Sequence, residues 1–185
     1  MSYEFADGYK IRDQSGLYFL TFTVVGWIDL FSRKIYRDEL LSNLRYCMAH
    51  KQLRIGGYVV MTNHVHLICS SESGQLSATI RDFKSYCAKQ LISIICNEPE
   101  SRRDWLVHMF HYHAQGSNRN KDFKIWSNDN HPEEIYSDTF LKTKLNYIHE
   151  NPVRAGLVKE PAHWLYSSAS NYANGQGLMD VDLLY

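Results

Sequence analysis

Two histidines separated by one residue, His64 and His66, are the side chains of this sequence best suited to chemistry. They lie in an apolar run, residues 59–68, that is typical of a β-strand. Alternate side chains of a strand point to the same face of a sheet, so the two imidazoles should lie side by side. Neutral imidazoles are common ligands of divalent metals, and the pair therefore predicts half of a metal site. For the pair taken alone, two hydrogen-bonded histidines on a half-exposed sheet remain the alternative.

A nucleophile opposite the histidines would allow chemistry on a phosphate group. The last predicted helix offers Tyr147, and Asn151 follows it one helical turn later on the same face. A tyrosine at the edge of an apolar stripe can present its hydroxyl to a cleft while packing holds its ring. The Asn151 amide oxygen is a suitable third ligand for a hard cation, and a helix C-cap is an equally good interpretation of this residue.

The elements that must position these residues follow from hydrophobic periodicity. Strands are predicted at residues 17–25, 54–61, 63–69 and 123–126, and helices at residues 37–50, 76–95, 101–113 and 139–150. The short link at residues 61–63 predicts a tight antiparallel hairpin. Asp138 should cap the last helix and Pro152 should end it, since the residue before a proline is pushed out of helical geometry. This order predicts an α+β fold, with an antiparallel four- to five-stranded sheet covered by helices.

The composition of the 185 residues indicates a single domain with an ordinary apolar content of 44%. The formal net charge is zero, so any binding to nucleic acid must come from local patches. The four cysteines form no C-x-x-C pair and are expected to be buried thiols in a reducing compartment. Polar residues interrupt the apolar stretch 17–31, and the N-terminus lacks the order of a signal peptide. We therefore predict a cytoplasmic protein without a membrane partner.

Two segments of the chain resemble a known family. Residues 58–68, YVVMTNHVHLI, are similar to the His-hydrophobe-His motif of the IS200/IS605-type single-tyrosine transposases, which belong to the HUH endonuclease superfamily. Residues 147–158, YIHENPVRAGLV, resemble the signature of the branch called REP-associated tyrosine transposases. The resemblance covers about residues 15–170, and the two motifs are specific together because they occur in this order, roughly eighty residues apart. It implies one catalytic domain over residues 1–185 with a ferredoxin-like, RRM-like HUH fold.

The resemblance also implies an activity, the nicking and rejoining of single-stranded DNA at hairpins by a DNA transposase. Tyr147 matches the nucleophile, which forms a 5′-phosphotyrosine and leaves a free 3′-hydroxyl. His64 and His66 match the pair that binds the divalent metal, Mg²⁺ or Mn²⁺. Asn151 stands where insertion-sequence members have glutamine, which makes it a weaker metal candidate, although the REP-associated branch carries Asn-Pro here. The oligomeric state stays open between a homodimer and a monomer.

Two other functions remain open from the sequence. The first is a non-catalytic or weakly active protein that binds hairpin DNA, because the net charge is zero and Asn151 departs from the glutamine of the insertion-sequence enzymes. The second is a metal-dependent hydrolase that uses an activated water. It would release free DNA ends and leave nothing bound to Tyr147.

Candidates for DNA contacts are basic or aromatic side chains: Arg81, Lys84, Lys89, Arg119, Lys121, Lys124, Trp126, His131 and Arg154. A solvated helix face is the ordinary alternative for the first three, and a core position is the alternative for Trp126. For the polar segment 127–134 there are two alternatives: it contacts DNA, or Asp129 or His131 assists the metal. A second H-x-H pair, His111 and His113, falls in a predicted helix, where residues two apart diverge by about 200°. It is not expected to bind metal.

Overall fold

The computed structural model describes residues 10–115, 122–128 and 130–185. Within them, four strands form one sheet in the order β2-β3-β1-β4, and every pairing is antiparallel. The elements are β1 (Tyr18–Thr23), α1 (Lys34–Lys51), β2 (Leu53–Val60), β3 (His64–Ser71), α2 (Leu76–Asn97), α3 (Arg103–Ala114), β4 (Glu133–Glu134), α4 (Asp138–Arg154) and α5 (Ala169–Asn174). The predicted α+β class and the β2–β3 hairpin are confirmed. The sheet has four strands, where four or five were predicted.

The two faces of the sheet pack against different helices. On β1, Leu20 and Phe22 point into the larger core, which contains buried side chains of α1, α2 and α3. Phe19, on the opposite face, packs in a smaller core with β2, β3 and α4. This separation follows from strand alternation, because successive side chains leave the sheet in opposite directions. We call the side of the sheet that bears Phe19 the α4 face.

The bounds of α4 differ from the sequence prediction at both ends. Ser137 caps the helix instead of Asp138, and its side chain accepts a hydrogen bond from the Phe140 backbone N–H at 3.3 Å. Pro152 lies inside the helix, so the prediction that it ends the helix is wrong. Because Pro152 is buried and within the last turn, packing offsets the one intrahelical bond that it removes. The chain instead leaves the helix at Gly156, which has a left-handed φ of 71°.

The strand predicted at residues 123–126 is not formed. Only an isolated bridge joins Val24 to Trp126, and the fourth strand is β4, in the segment that was predicted to be a polar contact. Ile125 and Trp126 are consecutive and both buried. Trp126 packs against Phe22 and Phe31 in the larger core, and the segment contacts the end of β1 only locally, through the Val25 and Ser127 backbone N–H groups.

The four cysteines are all free, and Cys47, Cys69 and Cys87 are buried as predicted. Burial raises the pKa of the Cys47 thiol to about 11. Cys96 is exposed, which corrects the prediction that all four are buried. It follows the buried Ile95 on α2, and one helical step of about 100° turns its side chain toward solvent.

The C-terminal residues 158–185, whose pattern predicts no particular structure, cover the outer edge of β2. The Val60 N–H donates to the Tyr166 carbonyl at 2.8 Å, and the Asp182 N–H donates to the Ile55 carbonyl at 2.9 Å. An edge strand presents unpaired backbone groups, and these bonds satisfy part of that edge. In the part of the chain that is described, no helix combines the length and apolarity that crossing a membrane requires.

Glu100 joins α1 to the start of α3. Its nearly buried carboxylate accepts hydrogen bonds from the Tyr36 hydroxyl at 2.5 Å, the Arg33 guanidinium at 2.7 Å and the Arg102 backbone N–H at 2.9 Å. Burial raises the pKa of this carboxyl, but the hydrogen bonds outweigh burial and lower the pKa to about 2. The folded state therefore favours the ionised carboxylate.

Ionised Glu100 should stabilise the folded state fully at pH values above 4.5, the pKa of the carboxyl in the unfolded chain. This stabilisation should be lost as the pH falls toward 2, where the carboxyl of the folded protein takes up a proton. Glu100→Gln should lower the free energy of unfolding at pH 7 by about 1–3 kcal/mol and weaken its pH dependence in this window. Urea denaturation at several pH values measures both effects. Glu98→Gln, which changes an exposed carboxylate next to the end of α2, serves as the control. A pH dependence of Glu100→Gln equal to that of the wild type would contradict the assignment.

Candidate active site

The two histidines of β3 lie side by side on the α4 face. Val65 and Leu67, which alternate with them, point into the larger core. The ring centroids of His64 and His66 are 4.8 Å apart, and the ring planes are inclined by 72°. His66 is only 4% exposed, whereas His64 is half-buried. The strand therefore places both imidazoles next to each other at the rim of a buried surface.

A neighbouring oxygen holds the Nδ1 atom of each imidazole. His64 Nδ1 lies 2.7 Å from Asn63 Oδ1, and the Asn63 amide nitrogen donates to the Trp27 carbonyl at 3.4 Å. The Asn63 oxygen is thus an acceptor, and His64 Nδ1 carries the proton. His66 Nδ1 lies 2.9 Å from Thr21 Oγ1, and His66 Nε2 is buried with no hydrogen-bond partner among the described residues. Metal-binding histidines are usually oriented in this way, through the nitrogen that does not bind the metal.

Burial keeps both imidazoles neutral at pH 7. It lowers the pKa of His64 below its ordinary value. For His66, burial together with the nearby charges of His64 and Lys144 lowers the pKa to about 3. A neutral imidazole has a lone pair available for a cation, so the electrostatics suit metal binding at neutral pH.

Tyr147 lies against His66 within the same chain. The two ring centroids are 5.2 Å apart, and the Phe19 ring lies 6.0 Å from the Tyr147 ring in an edge-on contact. Tyr147 is 38% exposed because it stands beside the buried stripe of α4 and outside it. The Arg154 guanidinium is 5.7 Å from the centre of the Tyr147 ring. A phenol, the imidazoles and a guanidinium are therefore close together without a second copy of the chain.

Two contacts fix the position of α4 against the sheet. A Cβ atom at Gly57 on β2 would lie 2.7 Å from Leu145 Cδ2, and Leu145 is fully buried. Further along the helix, His149 Nε2 lies 2.9 Å from Ser168 Oγ, which also accepts a hydrogen bond from the β2 backbone at 3.0 Å. Burial lowers the pKa of His149 to about 4, so this bond is made by a neutral ring. These two contacts determine how far Tyr147, the candidate nucleophile, lies from the sheet.

Asn151 lies inside α4, one turn after Tyr147, and is half-buried. The C-cap interpretation does not hold, because the helix continues to Arg154. Among the described residues, no hydrogen bond joins its side chain to either imidazole. The described residues also contain no group of three or more His, Cys, Asp or Glu side chains that could hold a metal ion. The histidine pair would need oxygen ligands from an amide, water or the substrate.

Most of the basic candidates lie apart from the histidines. The α2 side of the sheet bears a groove whose lining includes Arg81, Lys84, Lys89 and Trp126. In it, Lys84 bonds to the Ser127 carbonyl and to the Asn130 side chain, and Arg81 pairs with Asp82. Of the predicted basic contacts that the structure describes, only Arg154 is in contact with Tyr147.

The remaining candidates have different surroundings. Trp126 is 6% exposed and stacked on Phe31, so it is the core tryptophan that was named as the alternative to a base-stacking residue. Lys124 is half-buried beside this core, and His131 is exposed just before β4 with a φ of 39°. Three further candidates, Arg119, Lys121 and Asp129, lie outside the described residues. The second H-x-H pair lies in α3, as predicted.

Trp27 is an exposed aromatic residue that no sequence pattern indicated. It follows Gly26, and both residues have left-handed backbone conformations, with φ values of 56° and 62°. Its side chain is 67% exposed, and its ring centroid is 6.2 Å from that of His64. The only local signal is a glycine beside a tryptophan, just after the predicted strand 17–25.

Comparison with known proteins gives a similarity of fold. No protein-family model matches the chain, and no curated protein matches it. The structure is similar to that of a REP-associated tyrosine transposase bound to a REP hairpin, with 21% identity, coverage of 100% of this chain and 92% of that chain, and a TM-score of 0.58. A putative transposase from Deinococcus radiodurans R1 also matches, with 18% identity, coverage of 82% and 97%, and a TM-score of 0.47. The first match confirms the fold that the two sequence motifs imply, and the function must be argued from the site.

We expect Mn²⁺ to bind the wild-type protein and to bind His64→Ala and His66→Ala much more weakly, as measured by the electron paramagnetic resonance of free Mn²⁺. Thr21→Val removes the oxygen that orients His66 and should weaken binding by about 10–100-fold. His111→Ala, in the other H-x-H pair, is the matched control and should leave the affinity unchanged. If His66→Ala binds Mn²⁺ as well as the wild type does, the histidine pair is not the metal site.

Proposed function

We propose that this protein is a single-tyrosine transposase that cleaves and rejoins single-stranded DNA at hairpins. The observation that carries the proposal is the contact between Tyr147 and His66, whose ring centroids are 5.2 Å apart in one chain. A nucleophile and two neutral potential metal ligands thus share a cleft that is open to solvent on the Tyr147 side. The structurally similar transposase is bound to a REP hairpin, which supports hairpin DNA as the substrate class here.

His64 and His66 fit the metal that such an enzyme requires. Their Nδ1 atoms are held by Asn63 and Thr21, and the buried Nε2 of His66 has no partner among the described residues. Two imidazoles with oxygen ligands suit Mn²⁺, and the same set with more water suits Mg²⁺. Asn151 is the proposed protein oxygen ligand. When bound, the cation would polarise the scissile phosphate and stabilise its developing charge.

In the proposed cleavage step, the Tyr147 hydroxyl oxygen attacks the phosphorus atom of a phosphodiester. A bond from the tyrosine oxygen to phosphorus forms, the bond from phosphorus to the 3′-oxygen breaks, and that oxygen leaves as a 3′-hydroxyl after taking up a proton. A phenol is a weak nucleophile until it loses its proton, which passes to solvent water as the departing 3′-oxygen takes one up, so that no proton is gained or lost overall. The Arg154 guanidinium, 5.7 Å from the centre of the Tyr147 ring, would add positive charge beside the phosphate that the tyrosine attacks.

Rejoining is the reverse of cleavage. A 3′-hydroxyl attacks the phosphotyrosine, the phosphodiester re-forms, and Tyr147 regains its proton. The energy of the broken bond is kept in the covalent intermediate, so no nucleotide cofactor is required. His66 and Phe19 hold the Tyr147 ring from two sides between the two steps.

Denatured, fragmented DNA from the genome that encodes the protein contains its natural target. With Mg²⁺ or Mn²⁺, we expect the wild type to form a DNA adduct that survives denaturation, disappears after protease treatment and leaves an extendable 3′-hydroxyl. Tyr147→Phe should abolish the adduct because it removes the attacking oxygen. Tyr46→Phe, at an exposed tyrosine on α1, is the matched control and should react normally.

The other outcomes of this experiment each contradict the proposal. Free ends without an adduct indicate hydrolysis by an activated water. Salt-sensitive binding that Tyr147→Phe leaves unchanged, with no cleavage, indicates a hairpin-binding protein. Absence of both binding and adduct with either metal excludes a role in hairpin DNA.

The role of Asn151 is tested by two substitutions. If its amide oxygen binds the metal, Asn151→Ala should slow adduct formation by about tenfold or more, because a metal of this kind supplies several kcal/mol. Asn151→Gln, which keeps the amide, should retain more activity, and added Mn²⁺ should partly restore Asn151→Ala. Asn146→Ala, at an exposed position on the same helix, is the control. Equal rates for Asn151→Ala and the wild type would remove Asn151 from the ligand set.

A further inference from the structure

We propose that two aromatic groups bind bases of the single strand on either side of Tyr147. One is the exposed Trp27, on the His64 side, and the other is the exposed Tyr136, which stacks on the half-buried Phe140, on the opposite side. The inference rests on the proposed function, because it assigns contacts to the strand that Tyr147 would cleave. It concerns positioning residues, and none of the three takes part in bond making or breaking.

Trp27 is held in a conformation that keeps its indole in solvent. A bulky residue with a φ of 56° is uncommon, since the Cβ atom crowds the backbone there. The Trp27 carbonyl accepts a hydrogen bond from Asn63, which also binds His64 Nδ1. The loop that carries the indole is therefore tied to the histidine that would bind the metal. A ring that is 67% exposed and edge-on to that histidine offers a free face to a base.

Tyr136 and Phe140 form a stacked pair at the start of α4. Their ring centroids are 5.1 Å apart with an interplanar angle of 16°, and Tyr136 is 81% exposed. The exposed face of Tyr136 can stack with a base, because every base has a π-face. Local packing at the N-terminus of α4 explains why the two rings are in contact. It does not explain why the outer face of Tyr136 is exposed.

A continuous row of contacts joins this pair to the catalytic candidates. Lys144 Nζ lies 5.1 Å from the centre of the Phe140 ring and 4.4 Å from that of Phe19. Phe19 in turn stacks on His66, with ring centroids 5.1 Å apart, and meets the Tyr147 ring edge-on. The Tyr136–Phe140 pair is thus connected to the site through described contacts.

The spacing of the aromatic rings along α4 suits an extended strand of DNA. Phe140 and Tyr147 are seven residues apart on α4, which corresponds to about 10 Å along the helix axis. That length accommodates about one or two nucleotides of an unpaired strand whose bases stack on aromatic rings. Lys144, although paired with Glu133 at 2.7 Å, adds positive charge between the two points, and Arg154 adds it beyond Tyr147. The occupant that fits both the rings and the charges is single-stranded DNA.

Photocrosslinking locates the bases directly. The probe is a DNA hairpin with oligothymidine arms at both ends, in which 5-iodouracil replaces one thymine at a time, bound to full-length Tyr147→Phe so that it stays uncleaved. We expect crosslinks to Trp27 from one arm position and to Tyr136 or Phe140 from another. Crosslinks confined to the α2 groove, for example to Phe123, would overturn the proposal.

Affinity measurements separate stacking from other roles. Trp27→Ala and Tyr136→Ala should each weaken binding of this probe by about tenfold, the effect expected for one stacked base. Trp27→Phe and Tyr136→Phe keep an aromatic ring and should bind nearly as well as the wild type. Trp105→Ala and Tyr46→Ala, at exposed aromatic residues elsewhere, are the matched controls. Mn²⁺ affinity and thermal unfolding should be unchanged in all the variants.

Several outcomes would overturn the inference alone. Equal loss in Trp27→Ala and Trp27→Phe would indicate a role other than stacking. Dissociation of a wild-type dimer by Tyr136→Ala, seen by sedimentation, would identify that pair as a contact between copies of this chain. Normal probe affinity of Trp27→Ala, in a protein that still forms the Tyr147 adduct, would disprove stacking and leave the proposed function intact. Failure of the wild type to bind the probe or form an adduct would contradict both.

Discussion

The packing of α4 onto the sheet at Gly57 determines where the candidate nucleophile stands. Because Gly57 has no Cβ, the buried Leu145 side chain reaches the β2 backbone, and the helix lies low over the α4 face. Tyr147 is two residues further along the helix and therefore falls at the edge of the buried stripe. At that height its ring meets His66 on one side and Phe19 on another. A side chain at Gly57 would force the buried Leu145 side chain, which packs α4 on β2, to shift.

The same packing removes His64 and His66 from water and thereby lowers the pKa of both imidazoles. The histidines are neutral because burial disfavours their charged forms, so their nitrogens are available to a cation. Lys144 and Arg154 flank Tyr147 along α4, and Glu133 compensates the first of these charges. A chain with no net charge thus still presents cations where an anionic backbone would pass. Net charge is a poor guide to such a site, since its field is local.

The parts of the fold that short-range patterns determine were predicted from the sequence. Alternation along β3 predicted that His64 and His66 share a face, and the apolar stripe of α4 predicted that Tyr147 borders it. Features that depend on contacts distant in sequence were not predicted. β4 has only two residues, too few for a recognisable pattern. The helix continues through Pro152 because tertiary packing buries the proline ring. Trp27 faces His64 because Asn63, in the link between β2 and β3, holds the Trp27 backbone carbonyl.

A protein that binds a strand through stacked bases depends less on phosphate neutralisation than one that binds through lysines and arginines. Stacking contributes free energy that counterion release does not supply, whereas each neutralised phosphate adds to the salt dependence of binding. The described cleft contains few cations but is bordered by exposed rings at both ends, Trp27 at one and Tyr136 at the other. In the proposed function, such an arrangement would select unpaired DNA, because the bases of a duplex are already stacked on each other and cannot reach the rings. The zero net charge and the aromatic border support that proposal, in which the substrate is an unpaired strand beside a hairpin.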